Sequence, residues 1–183
     1  MKIAARQLPD GFTASFVDLI DLPTYNGDLD TRETVLPSVL KLREAANHSS
    51  GVFWCSPEYN YAMPGVVKNV IDWLSRPLLP QNSIVGRPMN AVVVTGSTTN
   101  GSRCLTDLKR AWNACGGLSV PLPDCVINEA PSKFVVDDGI ETLEPATLTM
   151  VRLAVACLVR IIESGASLAL QENWQAYTTA LAK

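Results

Sequence analysis

Histidine is nearly missing from this chain, with His48 the single one in 183 residues. Without a second histidine beside it, a zinc site of the usual kind is excluded, and no metal ligand set is expected. The cysteines (Cys55, Cys104, Cys115, Cys125 and Cys157) are odd in number, widely spaced and mostly set among apolar neighbours. That pattern excludes a disulfide framework and metal-knuckle spacing, and it predicts reduced core thiols in a cytoplasmic protein. Runs of basic residues and aromatic-basic interleaving are also missing. Fifteen Lys and Arg stand against 18 Asp and Glu, for a net charge of -3. The pI near 5.1 gives no general attraction to nucleic acid or to an anionic membrane. No stretch is expected to be long and apolar enough to span a bilayer, and Met1-Lys2 begins no signal peptide. There is no Ser/His/Asp arrangement and no carboxylate pair, so no side chain is expected to be catalytic on its own.

What is present fits an ordinary globular chain, 47% hydrophobic and 18% charged. Its length suits one domain over residues 1–183, with 165–183 as a helical tail. In order, the patterns predict a helical piece from Lys2 to Leu8 and a strand from Phe12 to Leu19. A turn-rich loop, Leu22 to Asp28, leads to a helix from about Arg32 to Ala46, its apolar side formed by Val35, Leu36, Val39, Leu40 and Leu42. A buried strand at Gly51–Cys55 follows. Further on come a connection from Leu78 to Pro88, a buried strand at Met89–Thr95 and a helix from about Arg103 to Ala114. A last strand at Leu118–Leu122 is followed by a loop region, Cys125 to Ile140, with a short extended piece. A long apolar helix from Glu144 or Pro145 to Glu163, broken by Ser164-Gly165, and a weaker amphipathic tail from Leu168 to Leu181 complete the chain.

The stretch from Trp54 to Pro77 organises the rest. Gly51-Val52-Phe53-Trp54-Cys55 is an apolar strand that exits into Pro57, Glu58, Tyr59, Asn60 and Tyr61. After Pro64-Gly65 a helix begins, with Val66, Val67, Val70, Ile71 and Leu74 at one-face spacing and Lys68, Asn69, Asp72 and Ser75 opposite; Pro77 closes it. In an open α/β sheet this places the polar-aromatic loop at the carboxyl edge, where ligands bind. A plain turn whose tyrosines cap the core is the competing reading.

The ordered run Pro57-Glu58-Tyr59-Asn60-Tyr61, Pro64-Gly65-Val66, Lys68-Asn69 and Ile71-Asp72-Trp73 resembles the signature of the NAD(P)H-dependent FMN reductases. That family contains flavodoxin-like quinone, chromate and azo-dye reductases. Asp21-Leu22-Pro23-Thr24-Tyr25-Asn26 resembles the family too. The resemblance implies an α/β fold, a flavodoxin-like parallel sheet with helices on both faces. It implies FMN as cofactor, NAD(P)H as electron donor and a small-molecule acceptor: a quinone, a flavin or a metal oxyanion. It also implies a homodimer or homotetramer, with Trp73 packing at a subunit boundary. The flavin would lie against Pro57, Glu58, Tyr59, Asn60 and Tyr61 and against the second loop at Gly96, Ser97, Thr98, Asn100 and Gly101. Tyr59 would touch the ring or its ribityl chain. Glu58 is equally readable as an anchor that binds backbone N–H groups. The Thr95–Ser102 loop, with Arg103 at a helix start, could instead be an anion site or a bland turn.

One family feature is expected to be absent. A flavodoxin-like domain opens with a central strand whose loop holds the FMN phosphate, and in this family that loop reads like Gly-Ser-Leu-Arg-x-x-Ser-x-Asn. Only twelve residues precede Thr13 here, and they read as the back half of the first helix. The strands at Phe12–Leu19 and Gly51–Cys55 are therefore expected to close up, or a partner chain to fill the slot, because an open gap leaves backbone groups unpaired. The alternative function is a non-catalytic, flavin-poor remnant that acts as a folded or oligomer-forming domain.

Overall fold

The computed structural model describes residues 1–31, 34, 36–76, 82–121 and 123–181, the side chain of Asp137 excepted. The expected helix start near Arg32, its Val35, the closing Pro77, residues 78–81 and Leu122 lie outside the described residues.

Two apolar runs build the sheet. β1 (Val52–Pro57) and β2 (Pro88–Val94) pair in parallel, from Val52 opposite Met89 to Pro57 opposite Val94. The far edge of β2 is shared by two short strands. β3 (Leu118–Ser119) pairs with Pro88 and Met89, and β4 (Cys125–Ile127) pairs with Val92 to Val94. The expected single strand at Leu118–Leu122 is thus shorter, and a second one follows it. Pro121 and Pro123 stand between them and have no N–H to give to the ladder.

Side chains alternate across this sheet, and both faces are covered. Trp54, Met89, Ala91 and Val93 join one apolar cluster with α2 (Pro37–His48), α3 (Gly65–Leu74) and α4 (Ser102–Ala114). Val92, Cys125 and Ile127 join a second with α1 (Lys2–Ala5) and α6 (Pro145–Glu163), and Phe53 and Cys55 pack against it. Asn90 is the polar exception on that second face. It is wholly buried and donates from Nδ2 to the Ala154 carbonyl at 2.8 Å, which fixes α6 on the sheet. Helix α6 corrects one expectation: with 19 residues and a mean hydropathy of 1.7, it is long and apolar enough to cross a membrane. Burial accounts for part of that composition, since Val151, Ala154, Val155, Leu158 and Val159 are buried along one stripe while Met150 and Leu153 are exposed.

Phe12 to Leu19 is not a strand. Among the described residues, Thr13 to Asp18 make no backbone–backbone hydrogen bond, and all of them are exposed. Phe12 packs against the α1/α6 cluster, whereas Leu19, Leu22 and Tyr25 pack against the α2/α3/α4 cluster. Both ends of the segment are therefore committed to opposite faces, and the chain rounds the sheet edge instead of lying along β1. Among the described residues β1 pairs with β2 alone, so Phe12 to Leu19 does not close up on it.

α3 also differs from its sequence pattern. Val66 is 49% exposed, while Trp73 and Ser75, outside the expected apolar face, are buried. Trp73 does not reach a subunit boundary. It is fully buried, stacks edge-on with Tyr25 at 4.8 Å and donates to the Pro23 carbonyl. Asn69 completes the clasp, accepting from the Tyr25 N–H at 2.7 Å and donating to the same Pro23 carbonyl at 2.8 Å. α2 is apolar at Val39, Leu42 and Ala46, with Leu40 turned outward.

The region expected to be mostly loop after Cys125 holds β4, a short helix α5 (Ala130–Lys133) and an antiparallel hairpin of β5 (Phe134–Asp137) and β6 (Ile140–Leu143). Asp138 and Gly139 make its turn, with φ of 46° and 77°, as expected of a two-residue Asp-Gly loop. Gly165, at φ 73°, separates α6 from the tail helix α7 (Ala166–Leu181).

Candidate functional site

β1 and β2 run in the same direction, so the loops that leave them emerge side by side at the carboxyl edge. The first is a tight turn. Tyr59 and Ala62 exchange backbone hydrogen bonds of 3.1 and 3.0 Å, and the two residues between them, Asn60 and Tyr61, have φ of 50° and 63°. Asparagine tolerates that region, but tyrosine does so only under constraint. The turn holds Tyr59 and Tyr61 outward, 61% and 62% exposed. The Arg103 guanidinium lies 4.7 Å over the Tyr61 ring. An open cleft of about 310 Å³ runs beside it, lined by Tyr61, Ser102, Arg103, Thr106 and Asp107.

The second loop, Thr95 to Gly101, is tied to the end of β4. Thr95 N–H donates to the Ile127 carbonyl, while Glu129 and Ala130 N–H donate back to Ser97 and Thr95. Ser97 N–H donates to Thr95 Oγ1, Asn100 Nδ2 to Ser97 Oγ and Arg103 Nη1 to Asn100 Oδ1. Gly96 and Thr98 stay exposed. Gly101 has φ 115°, and a Cβ there would meet Val126 Cγ1 at 2.3 Å. Only glycine fits both demands.

Glu58 joins the loops. Its Oε2 accepts from the N–H of Gly101 at 2.9 Å and of Cys104 at 3.0 Å, at the first turn of α4. Those donors would otherwise be orphans of the helix end, where negative charge is favoured. The anchor reading of Glu58 is thus the observed one, and these α4 donors are already committed to a carboxylate. Buried Cys104 reinforces the seam, donating from Sγ to the Pro57 carbonyl at 3.4 Å. Burial pushes its thiol pKa up, so it is a protonated donor here and not a thiolate.

Of the ten residues named from the sequence, Pro57 closes β1 and the other nine lie on these two neighbouring loops. Asn128 and Glu129, also at this edge, were not foreseen. Glu58 Oε1 and Asn128 Oδ1 are buried and have no hydrogen-bond partner, and Asn128 directly follows β4. Glu129, next to it, holds φ 50°. Only the position of Asn128 after a buried Cys-Val-Ile run could have indicated it. Among the described residues no group of His, Cys, Asp or Glu could hold a metal.

Comparison with known proteins agrees with this architecture. The chain is 34% identical over 113 residues to a quinone reductase of Escherichia coli K12, covering 59% of each chain. It is 28% identical over 153 residues to an NAD(P)H-dependent FMN reductase of Pseudomonas aeruginosa, covering 81% of each. The solved structure of FerB, a flavoenzyme NAD(P)H:(acceptor) oxidoreductase from Paracoccus denitrificans, superposes with a TM-score of 0.77 at 28% identity, over 89% of this chain and 87% of that one. Residues 1–132 match the model of the NADPH-dependent FMN reductases, and the chain belongs to that family.

Proposed function

We propose that the protein is an NAD(P)H-dependent oxidoreductase that binds FMN across the two loops and reduces a small acceptor: a quinone, a flavin or a metal oxyanion. The observation that carries this reading is the paired-loop edge itself, in a chain of this family. A flavin ring has a flat apolar body and a polar pyrimidine edge with both N–H and carbonyl groups. The exposed rings of Tyr59 and Tyr61 offer flat apolar contact, and the exposed backbone at Gly96 and Thr98 offers donors, those of Ser97 and Gly101 being taken by Thr95 and Glu58. The unpartnered acceptor Asn128 Oδ1 suits an N–H donor, since a buried acceptor left alone costs about 1–3 kcal/mol. The residues present thus fit the ring side of the group. When bound, FMN supplies the hydride and electron chemistry. The chain itself orients the ring and leaves one face open to donor and acceptor in turn. Five free cysteines support a reducing, cytoplasmic location, and a homodimer or homotetramer remains part of the proposal by analogy with the family.

Purified protein should be yellow or become so with added FMN, and should then oxidise NAD(P)H in the presence of a quinone. Absence of any flavin-dependent NAD(P)H oxidation would sink the reading. The alternative, a flavin-poor remnant, is favoured by two observations: the unpaired outer edge of β1 and the commitment of α4 donors to Glu58. It predicts protein that folds and associates but leaves free flavin fluorescence unchanged.

A further inference from the structure

We propose that Glu58 is a positioning residue, the built-in anion of α4, which holds the two ring-side loops at one separation and closes that helix end to an external phosphate. The inference rests on the flavin reading above but concerns a contact that stands without it. Glu58 immediately follows β1, and its carboxylate reaches across to the loop that leaves β2. One oxygen takes both N–H groups, of Gly101 and of Cys104, so a single side chain fixes the end of the second loop and the start of α4 together. Within the same seam Cys104 Sγ donates to the Pro57 carbonyl, a thiol bond weaker than a charge-assisted one. The backbone of the Tyr59–Ala62 turn, which directly follows Glu58, is closed on itself by its own two hydrogen bonds. Arg103 is one residue from the Glu58-bound amide of Cys104, and its guanidinium over Tyr61 is a further bridge between the loops. Loss of the Glu58 carboxylate would free α4 donors while leaving each loop internally bonded. Ring binding would then weaken through misplacement of the loops, not through loss of a contact to the ring.

The test compares wild type, Glu58→Ala and Glu58→Gln in riboflavin titrations with and without 100 mM sodium acetate, alongside hydrogen exchange of the Cys104 amide. Riboflavin has no phosphate, so it reports the ring side alone. Glu58→Ala is expected to bind riboflavin at least tenfold more weakly and to exchange the Cys104 amide at least tenfold faster. Acetate, which fits the vacated carboxylate place, should recover at least threefold of that affinity and slow the exchange. Glu58→Gln keeps an acceptor oxygen and the side-chain volume, which guards against collapse of the fold. It should lose less than Glu58→Ala and gain nothing from acetate. Fast exchange in Glu58→Ala with unchanged riboflavin affinity would overturn the proposal, reducing the contact to helix capping. Acetate that tightens all three proteins equally would overturn it as well. Wild type that binds neither riboflavin nor FMN would overturn the flavin reading and the ring-positioning role together, whereas a Cys104 amide indifferent to all substitutions would remove the contact alone.

Discussion

Asn69 shows how much one polar residue on a helix can determine. Its amide presents an acceptor to Tyr25 N–H and a donor to the Pro23 carbonyl, standing in for a backbone strand partner. Asn69→Ala leaves the Tyr25 N–H without its partner in a half-buried place, while Trp73 still serves the carbonyl. The expected loss is about 1–3 kcal/mol, read from urea unfolding, with α3 itself intact. Helical spacing assigned Asn69 to a solvated face, because periodicity reports which residues share a side and not what lies opposite. Trp73 was misjudged for the same reason. Its partner is a loop some fifty residues earlier, which no local pattern reveals. Cysteine burial was legible only in part: Cys104 and Cys125 are buried as their apolar neighbours predicted, whereas Cys55, Cys115 and Cys157 are half-buried. Burial, reinforced by nearby Cys55, pushes the Cys125 thiol from its ordinary 9.0 up to about 11. A raised folded-state value favours the protonated thiol, so its stabilising effect is complete below pH 9 and is lost as pH rises through 11. The stability gap between wild type and Cys125→Ala should narrow by about 2–3 kcal/mol over that window. A gap that stays constant from pH 8 to 11.5 in guanidinium titrations would contradict this placement of the thiol.

At the scale of elements, strands and helices buried on a regular period were readable, and those governed by distant contacts were not. β1, β2, α4 and α6 fall within one or two residues of their expected limits, because a continuous apolar run or a helical stripe is a local signal. Phe12 to Leu19 alternates well enough for a strand, yet a strand needs a neighbour, and its anchors on opposite faces deny it one. The start of α4 depends on a single residue without a side chain. Gly101→Ala would face both an unfavourable positive φ and a Cβ 2.3 Å from Val126 Cγ1. Strain of about 1–2 kcal/mol and overpacking of about 1–3 kcal/mol point the same way. The variant should lose roughly 2–5 kcal/mol by thermal or urea unfolding. Adding Val126→Ala should return part of the overpacking loss but none of the backbone strain. A Gly101→Ala protein as stable as wild type would mean that α4 starts elsewhere.

For the whole molecule, the open question of energetics is how far a ring-side site can hold FMN. The two loops, Glu58 and Asn128 all lie at the carboxyl edge, where the proposed function places the ring. The hydroxyl-rich phosphate loop implied by the family pattern has no counterpart beside β1 among the described residues, where that strand's outer edge is unpaired. At α4, Gly101 and Cys104 already donate to a carboxylate. A phosphate held by three charge-assisted hydrogen bonds gains roughly 1.5–3 kcal/mol from each, so their lack removes about 5–9 kcal/mol. Since about 1.4 kcal/mol is tenfold in affinity, that is a factor of a thousand or more. FMN is therefore expected to bind little better than riboflavin, within about tenfold, when both are titrated by quenching of flavin fluorescence. The expected weakness also separates holding the cofactor from using it, since a loosely held flavin can still be reduced and released as a product. α3 offers the nearest route to a different outcome. It begins at Gly65, just past the Tyr59–Ala62 turn, and no side chain caps its first-turn amides. An FMN preference of a thousandfold or more would mean that a phosphate site does exist, and the N–H groups of Gly65 and Val66 would be the first donors to examine, since that of Val67 already donates to the Pro64 carbonyl. Loss of that preference on replacing Gly65 with proline, which removes one of those N–H groups, would then locate it.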